Sequence, residues 1–186
     1  MTMCPYHNFP LNNNQKNFKL LGITLGIDKE RNTELNITTK YKNISKSLDR
    51  WSQRNLSIIG KILVSKTHGM AKIVHTMTTT QMTGKQLIDL QRILTNFVWS
   101  KKPAKVKLSV LISPYEEGGL KAFDVECQYK ALRIPWIWRQ IRSTNWNSLI
   151  NTNLNLVGGT NLLIQCNYDK STLKSLPTFY KEIFVF

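Results

Sequence analysis

The chain has 186 residues, 41% of them hydrophobic and 10% aromatic, enough to bury one sizeable core or two small helical lobes and not the make-up of a disordered tail. Twenty-six Lys and Arg against eleven Asp and Glu leave a net charge of +15, the sign that attracts polyphosphate, so nucleic acid is the first partner expected and an anionic membrane the second. Cys4, Cys127 and Cys166 are too few and too scattered for a disulfide framework, which points to a reducing compartment.

Residues 1–17 are polar, with an Asn run at 12–14, and read as a loose leader lacking the apolar core of a signal peptide. FKLLGITLG, 18–26, is a short apolar run closed by glycine; it reads as a strand, with Gly22 as a point where two backbones approach. IDKERNTEL returns the chain, and from Leu35 the period becomes helical: Tyr41, Ile44, Leu48 and Trp51 are spaced three, four and three apart and share a face. Lys42, Lys46, Arg50 and Arg54 recur every fourth position along another face.

LSIIGKILVSKTHGMAKIVHTM, 56–77, predicts a second helix with Asn55 as N-cap and Ile59, Leu63, Met70, Ile73 and Met77 toward the core. Gly60 and Gly69 each cost it ~1 kcal/mol relative to Ala and mark close packing or a bend. Thr83 followed by Gln86 is a capping-box pattern ahead of QLIDLQRILTNFVW, whose buried stripe is Leu87, Leu90, Leu94, Phe97 and Val98. A lysine-rich loop and the turn PYEEGGL (114–120) come next, and Asp124 then caps a helix to about Arg142. Pro135 inside that helix removes a hydrogen bond at a cost of ~3 kcal/mol unless the helix kinks or breaks. The remainder, 143–186, is polar and Asn-rich until a weak helix at SLPTFYKEIFVF.

The expected fold is mainly α, a small helical bundle with a short N-terminal β remnant and a helical C-terminal lobe. Its divisions are the leader at 1–17, the strand remnant at 18–36, the bundle at 37–100, a basic loop and turn at 101–123, and a C-terminal helical region at 124–186. No apolar run approaches the ~20 residues of a membrane span, so the expectation is an intracellular chain, nuclear or cytoplasmic, with no membrane partner.

The charge is uneven. Residues 35–107 hold fourteen basic and two acidic residues, Asp49 and Asp89, which is +12 of the total +15. Solvated helix faces usually mix signs, and like charges at i, i+4 repel by a few tenths of a kcal/mol unless a polyanion relieves them. The candidate nucleic-acid-binding residues are therefore Lys42, Lys46, Arg50, Arg54, Lys61, Lys66, Lys72, Lys101, Lys102, Lys105 and Lys107. Tyr41, Trp51 and Trp99 have aromatic faces for base stacking, but their spacing with Ile and Leu favours core packing.

No catalytic set emerges. Asp28, Asp49, Asp89, Asp124 and Asp169 are isolated, whereas two-metal nucleotidyl transfer needs converging carboxylates. Glu116 and Glu117 sit beside Gly118 and Gly119 in what reads as an exposed turn, free to pair with nearby lysines. Cys4-x2-His7 lacks a second half for zinc, and His68 and His75 are two turns apart, roughly 10 Å along a helix, too far to share an ion. No cofactor or metal is expected.

Three segments carry a family resemblance. FKLLGITLG (18–26) resembles the Phe-Lys-Tyr-Leu-Gly-Ile stretch that ends the palm of LINE-type non-LTR retrotransposon reverse transcriptases, with Leu20 where an aromatic is common. LSIIGKILVSKTHGMAKIVHTM resembles the Leu-Ser-x-x-Gly-Lys/Arg segment where the thumb begins to grip the primer-template duplex. Residues 86–141 are similar to the elements that follow, with the Phe-x-Trp end (97–99), the Lys-x-Lys-x-x-x-Leu run (105–111) and the Pro-x-x-x-Gly-Gly-Leu turn (114–120) in the same order.

The resemblance covers about Phe18 to Arg142 and implies the end of a palm, a thumb and a post-thumb linker. Fingers, endonuclease, the Phe/Tyr-Ala-Asp-Asp motif and its divalent-metal ligands, and the Cys/His knuckle common near the family's C-terminus have no counterpart here. The function expected is non-catalytic: a basic helical module that binds the backbone of an RNA-DNA or DNA duplex through phosphates. The alternative is a relic open reading frame of a broken retroelement with no independent function. Parted from palm strands, the strand remnant would offer an unpaired apolar edge for self-association.

Overall fold

The structure is a computed structural model that describes residues 17–142 and the single positions 171, 174 and 181. The leader, Cys4, His7, Cys166 and the weak helix expected at SLPTFYKEIFVF otherwise lie outside the described residues. Among the described residues the fold is mainly α, with six α-helices and one two-stranded sheet.

FKLLGITLG forms a hairpin rather than a single strand. β1 (Asn17–Leu20) pairs antiparallel with β2 (Ile23–Gly26), placing Phe18 opposite Leu25 and Leu20 opposite Ile23. Both turn residues are left-handed, Leu21 at φ 49° and Gly22 at φ 82°, the backbone signature of a two-residue hairpin turn. Gly22 is thus present for its conformation and not for a close approach: a Cβ there would meet nothing within 4 Å. The outer edge of β2 is occupied by a side chain. Thr24 N–H donates to Asn36 Oδ1 at 2.8 Å, and Asn36 Nδ2 donates to the Thr24 carbonyl at 2.9 Å.

Helix α1 (Lys29–Ser52) starts earlier than Leu35 because Asp28 caps it, accepting from Arg31 N–H at 3.0 Å, with Glu30 in the favourable first turn. Its inner face carries Ile37, Ile44 and Leu48, all buried, flanked by Tyr41 and Trp51 packed against the core, as the spacing predicts.

The second helix expected over 56–77 is divided into α2 (Ile58–Val64), a π turn (Ser65–Gly69), a 3₁₀ turn (Met70–Lys72) and α3 (Val74–Thr79). Its cap is Ser57, accepting from Gly60 N–H at 3.2 Å, and not Asn55. Met70, Ile73 and Met77 are buried as expected, but Ile59 and Leu63 are 57% and 60% exposed, and Ile62 and Val64 face inward instead. The π turn closes over i to i+5 and so breaks the α period that the expected stripe assumes, and α2 packs on two sides, Ile62 in the smaller cluster and Val64 in the main core. Gly69 lies at this irregularity, where a Cβ would come within 2.8 Å of Leu94 Cδ2.

Helix α4 (Gly84–Val98) carries both halves of the Thr83–Gln86 capping box, and its five predicted inward residues are all buried. The lysine loop leads to α5 (Leu108–Ile112), a 3₁₀ turn (Tyr115–Glu117) and left-handed Gly118. Gly119 has no room for a side chain, since a Cβ would sit 1.9 Å from the Ser113 carbonyl oxygen. Asp124 caps α6 (Val125–Arg142), accepting from Cys127 N–H at 3.0 Å. The helix continues through Pro135, where a break was one expectation.

The main core joins α1, Val64 at the end of α2, Met70 of the 3₁₀ turn, α3, α4 and α6; a smaller cluster of Ile62, Val98 and Leu111 joins α2, α4 and α5. Arg133 is fully buried: its guanidinium lies over the Tyr129 ring at 4.7 Å, and Nη2 donates to the Thr80 carbonyl at 2.7 Å. Tyr129 Oη in turn accepts from Met82 N–H at 3.1 Å, so α6 holds the link between α3 and α4. Among the described residues no helix is long and apolar enough to cross a membrane.

Candidate nucleic-acid interface

Two grooves run along opposite flanks of α1. The first, about 430 Å³, is lined by Lys40, Asn43, Lys46, Ser47, Arg50 and Lys72. Five of these come from α1 and one from the 3₁₀ turn after the π turn. Lys40, Asn43, Ser47 and Arg50 are spaced three, four and three apart, a single helical stripe, with Lys46 beside it. The lining holds four cations, an amide and a hydroxyl, and no carboxylate. The four cations give this lining a single sign of charge, and Asn43 and Ser47 add neutral hydrogen-bond donors.

The second groove, about 630 Å³, lies between α1 and the end of α4, with Ser45, Asp49, Ser52, Asn96, Ser100 and Lys101 along it over Leu48, Ile93 and Phe97. Here Lys101 Nζ stands 3.4 Å from Asp49 Oδ1. Its charges oppose each other, so it lacks the single sign of the first.

The sequence-predicted basic residues divide accordingly. Lys46, Arg50 and Lys72 converge in the first groove. Lys42 is exposed on α1 but does not line it. Arg54 is not on the helical stripe, since α1 ends at Ser52; its guanidinium lies over the Trp51 ring at 4.4 Å. Lys61 donates to Ser100 Oγ and Lys66 to the Lys121 carbonyl, so both are engaged within the fold. Lys101 pairs with Asp49, while Lys102, Lys105 and Lys107 are exposed in the loop before α5.

Lys40, Asn43 and Ser47 were missed by sequence reasoning that followed the every-fourth-residue lysines. The three-four-three polar stripe, running parallel to the apolar one, is the signal that finds them. Trp51, Tyr41 and Trp99 pack against the two cores as expected, although Trp51 also meets the His68 ring at 4.9 Å between centroids. His68 and His75 are both exposed. Glu116 and Glu117 lie in an exposed turn, with Lys121 Nζ 3.7 Å from Glu116 Oε1. Among the described residues no three His, Cys, Asp or Glu side chains gather to hold a metal ion.

No protein-family model matches the chain. It is 28% identical over 109 residues to a protein of Arabidopsis thaliana that carries the provisional name ribonuclease H protein, a match covering 56% of this chain and 18% of that protein. The chain therefore corresponds to under a fifth of its relative's length, and the similarity is to a protein named for work on nucleic acid.

Proposed function

We propose that the chain is a non-catalytic nucleic-acid-binding module of a LINE-type reverse transcriptase lineage, and that the α1 groove grips the phosphate backbone of an RNA-DNA or DNA duplex. The observation that carries this reading is the convergence of Lys40, Lys46, Arg50 and Lys72 on one concavity whose lining has no acidic residue. The order of motifs from Phe18 to Leu120 and the similarity to a protein with a ribonuclease name support it. Contacts of this kind position a backbone and read little sequence.

The test is duplex affinity as a function of salt. Each phosphate neutralised adds roughly 0.9 to the slope of log affinity against log salt for B-DNA. Binding is expected to weaken steeply with salt, and Lys46→Glu, Arg50→Glu and Lys72→Glu together to flatten the slope, while Lys42→Glu, outside the groove, changes it least. Affinity that is flat with salt, or indifferent to the triple variant, would refute the assignment.

A further inference from the structure

Near the Arg50 end of the groove lies a group of ring and guanidinium side chains. Ser47 lines the groove, and Trp51, on the neighbouring apolar stripe of α1, follows Ser47 by one helical turn. There Arg54, on the residues just past the helix, folds its guanidinium back over the Trp51 ring at 4.4 Å, and the His68 ring meets the indole at 4.9 Å with a tilt of 41°. Arg54 and His68 are exposed, and Trp51 is half-buried against the core. A planar cation thus lies over a half-buried aromatic ring, one helical turn from the groove residue Ser47.

We propose that this pile is a stacking site for an unpaired nucleobase, and that the ligand of the whole surface is a duplex with a single-stranded extension. A base laid on the outer face of the Arg54 guanidinium extends the stack of Trp51 and Arg54, while the phosphates of the same strand follow Arg50, Lys46 and Lys40 along the groove. Arginine planes and aromatic rings both accept bases in this way, with little dependence on which base is offered. The proposal rests on the groove reading above. It adds a preference that phosphate contacts alone do not produce, because a blunt duplex presents no free base.

The experiment compares a blunt duplex with one carrying a short overhang, on either strand end, against the full chain and against Arg54→Lys. Lysine keeps the charge but has no plane to stack on. The wild-type chain is expected to bind the better overhang duplex roughly tenfold more tightly than the blunt one, within the range seen for one stacked base. Arg54→Lys, which keeps the charge, removes most of that preference. His68→Ala, at an exposed position, reduces it in part. Equal affinity for blunt and overhang duplexes in the wild type, or an overhang preference that survives Arg54→Lys, overturns the stacking site while leaving the groove standing. Absence of salt-dependent binding to either duplex overturns both.

Discussion

Tyr41 shows how one side chain joins two helices. Its hydroxyl donates to the Gln86 carbonyl in the first turn of α4, and burial, with the Asp89 carboxylate nearby, holds the phenol far above its ordinary ionisation range. The folded state therefore keeps a proton that the unfolded chain gives up near pH 10. A raised folded value means that this stabilisation is complete below the ordinary phenol pKa and is lost as pH rises through the folded one. Denaturant unfolding at about pH 8 and about pH 10.5 is expected to show a decline that Tyr41→Phe partly removes. The variant also loses on the order of 1 kcal/mol at neutral pH for the missing hydrogen bond. An alkaline decline that is the same in both chains would show that the phenol does not carry it.

At the scale of elements, the π turn decides which side of α2 faces inward. Deletion of exposed Thr67, whose Oγ1 donates to the Leu63 carbonyl at 3.0 Å, lets the turn close as an α-turn and rotates α2 by roughly 100° against the rest of the bundle. Ile62 and Val64 then leave their packing. The expected loss is about 2 to 4 kcal/mol in urea unfolding, with amide exchange accelerating at 62–64 before it does in α4. Unchanged stability would mean that the turn does not set the register.

The same elements show what a sequence reader can and cannot obtain here. The stripe of α4 and its capping box were legible because cap, period and core agree locally. The divided second helix was not: an i, i+3, i+4 pattern assumes an unbroken α period, and the residue added at Ser65–Gly69 leaves no composition mark beyond Gly69. The hairpin was hidden because Leu21 is an unusual residue for a left-handed turn position. In the groove, α1 contributed residues that periodicity could find, whereas the arrival of Lys72 beside them depends on tertiary packing after the π turn. Lys61, Lys66 and Lys101 looked equivalent to it in sequence and are instead engaged within the fold.

For the whole molecule the governing fact is a net charge of +15. Self-repulsion on this scale weakens the compact state, and ions screen it over a Debye length of about 10 Å at 0.1 M salt. Thermal stability is expected to rise as NaCl goes from about 20 mM to about 300 mM, and to rise further at low salt when a polyanion such as heparin is added, since a ligand of the folded state stabilises it by mass action. Differential scanning fluorimetry measures both. A melting temperature that falls with salt would show that favourable ion pairs, and not repulsion, dominate the surface.

Asn36 gives the hairpin a tether of a particular kind. Its carboxamide offers one acceptor and one donor at the spacing of a peptide group, so Thr24 is paired as though a third strand ran alongside β2. The imitation strand is rooted in α1 and stands on the β2 side of this small sheet, while the four residues of β1 are all exposed among the described residues. Among the described residues the sheet is therefore asymmetric: its β2 side is joined to the bundle through Asn36, and the residues of β1 are exposed.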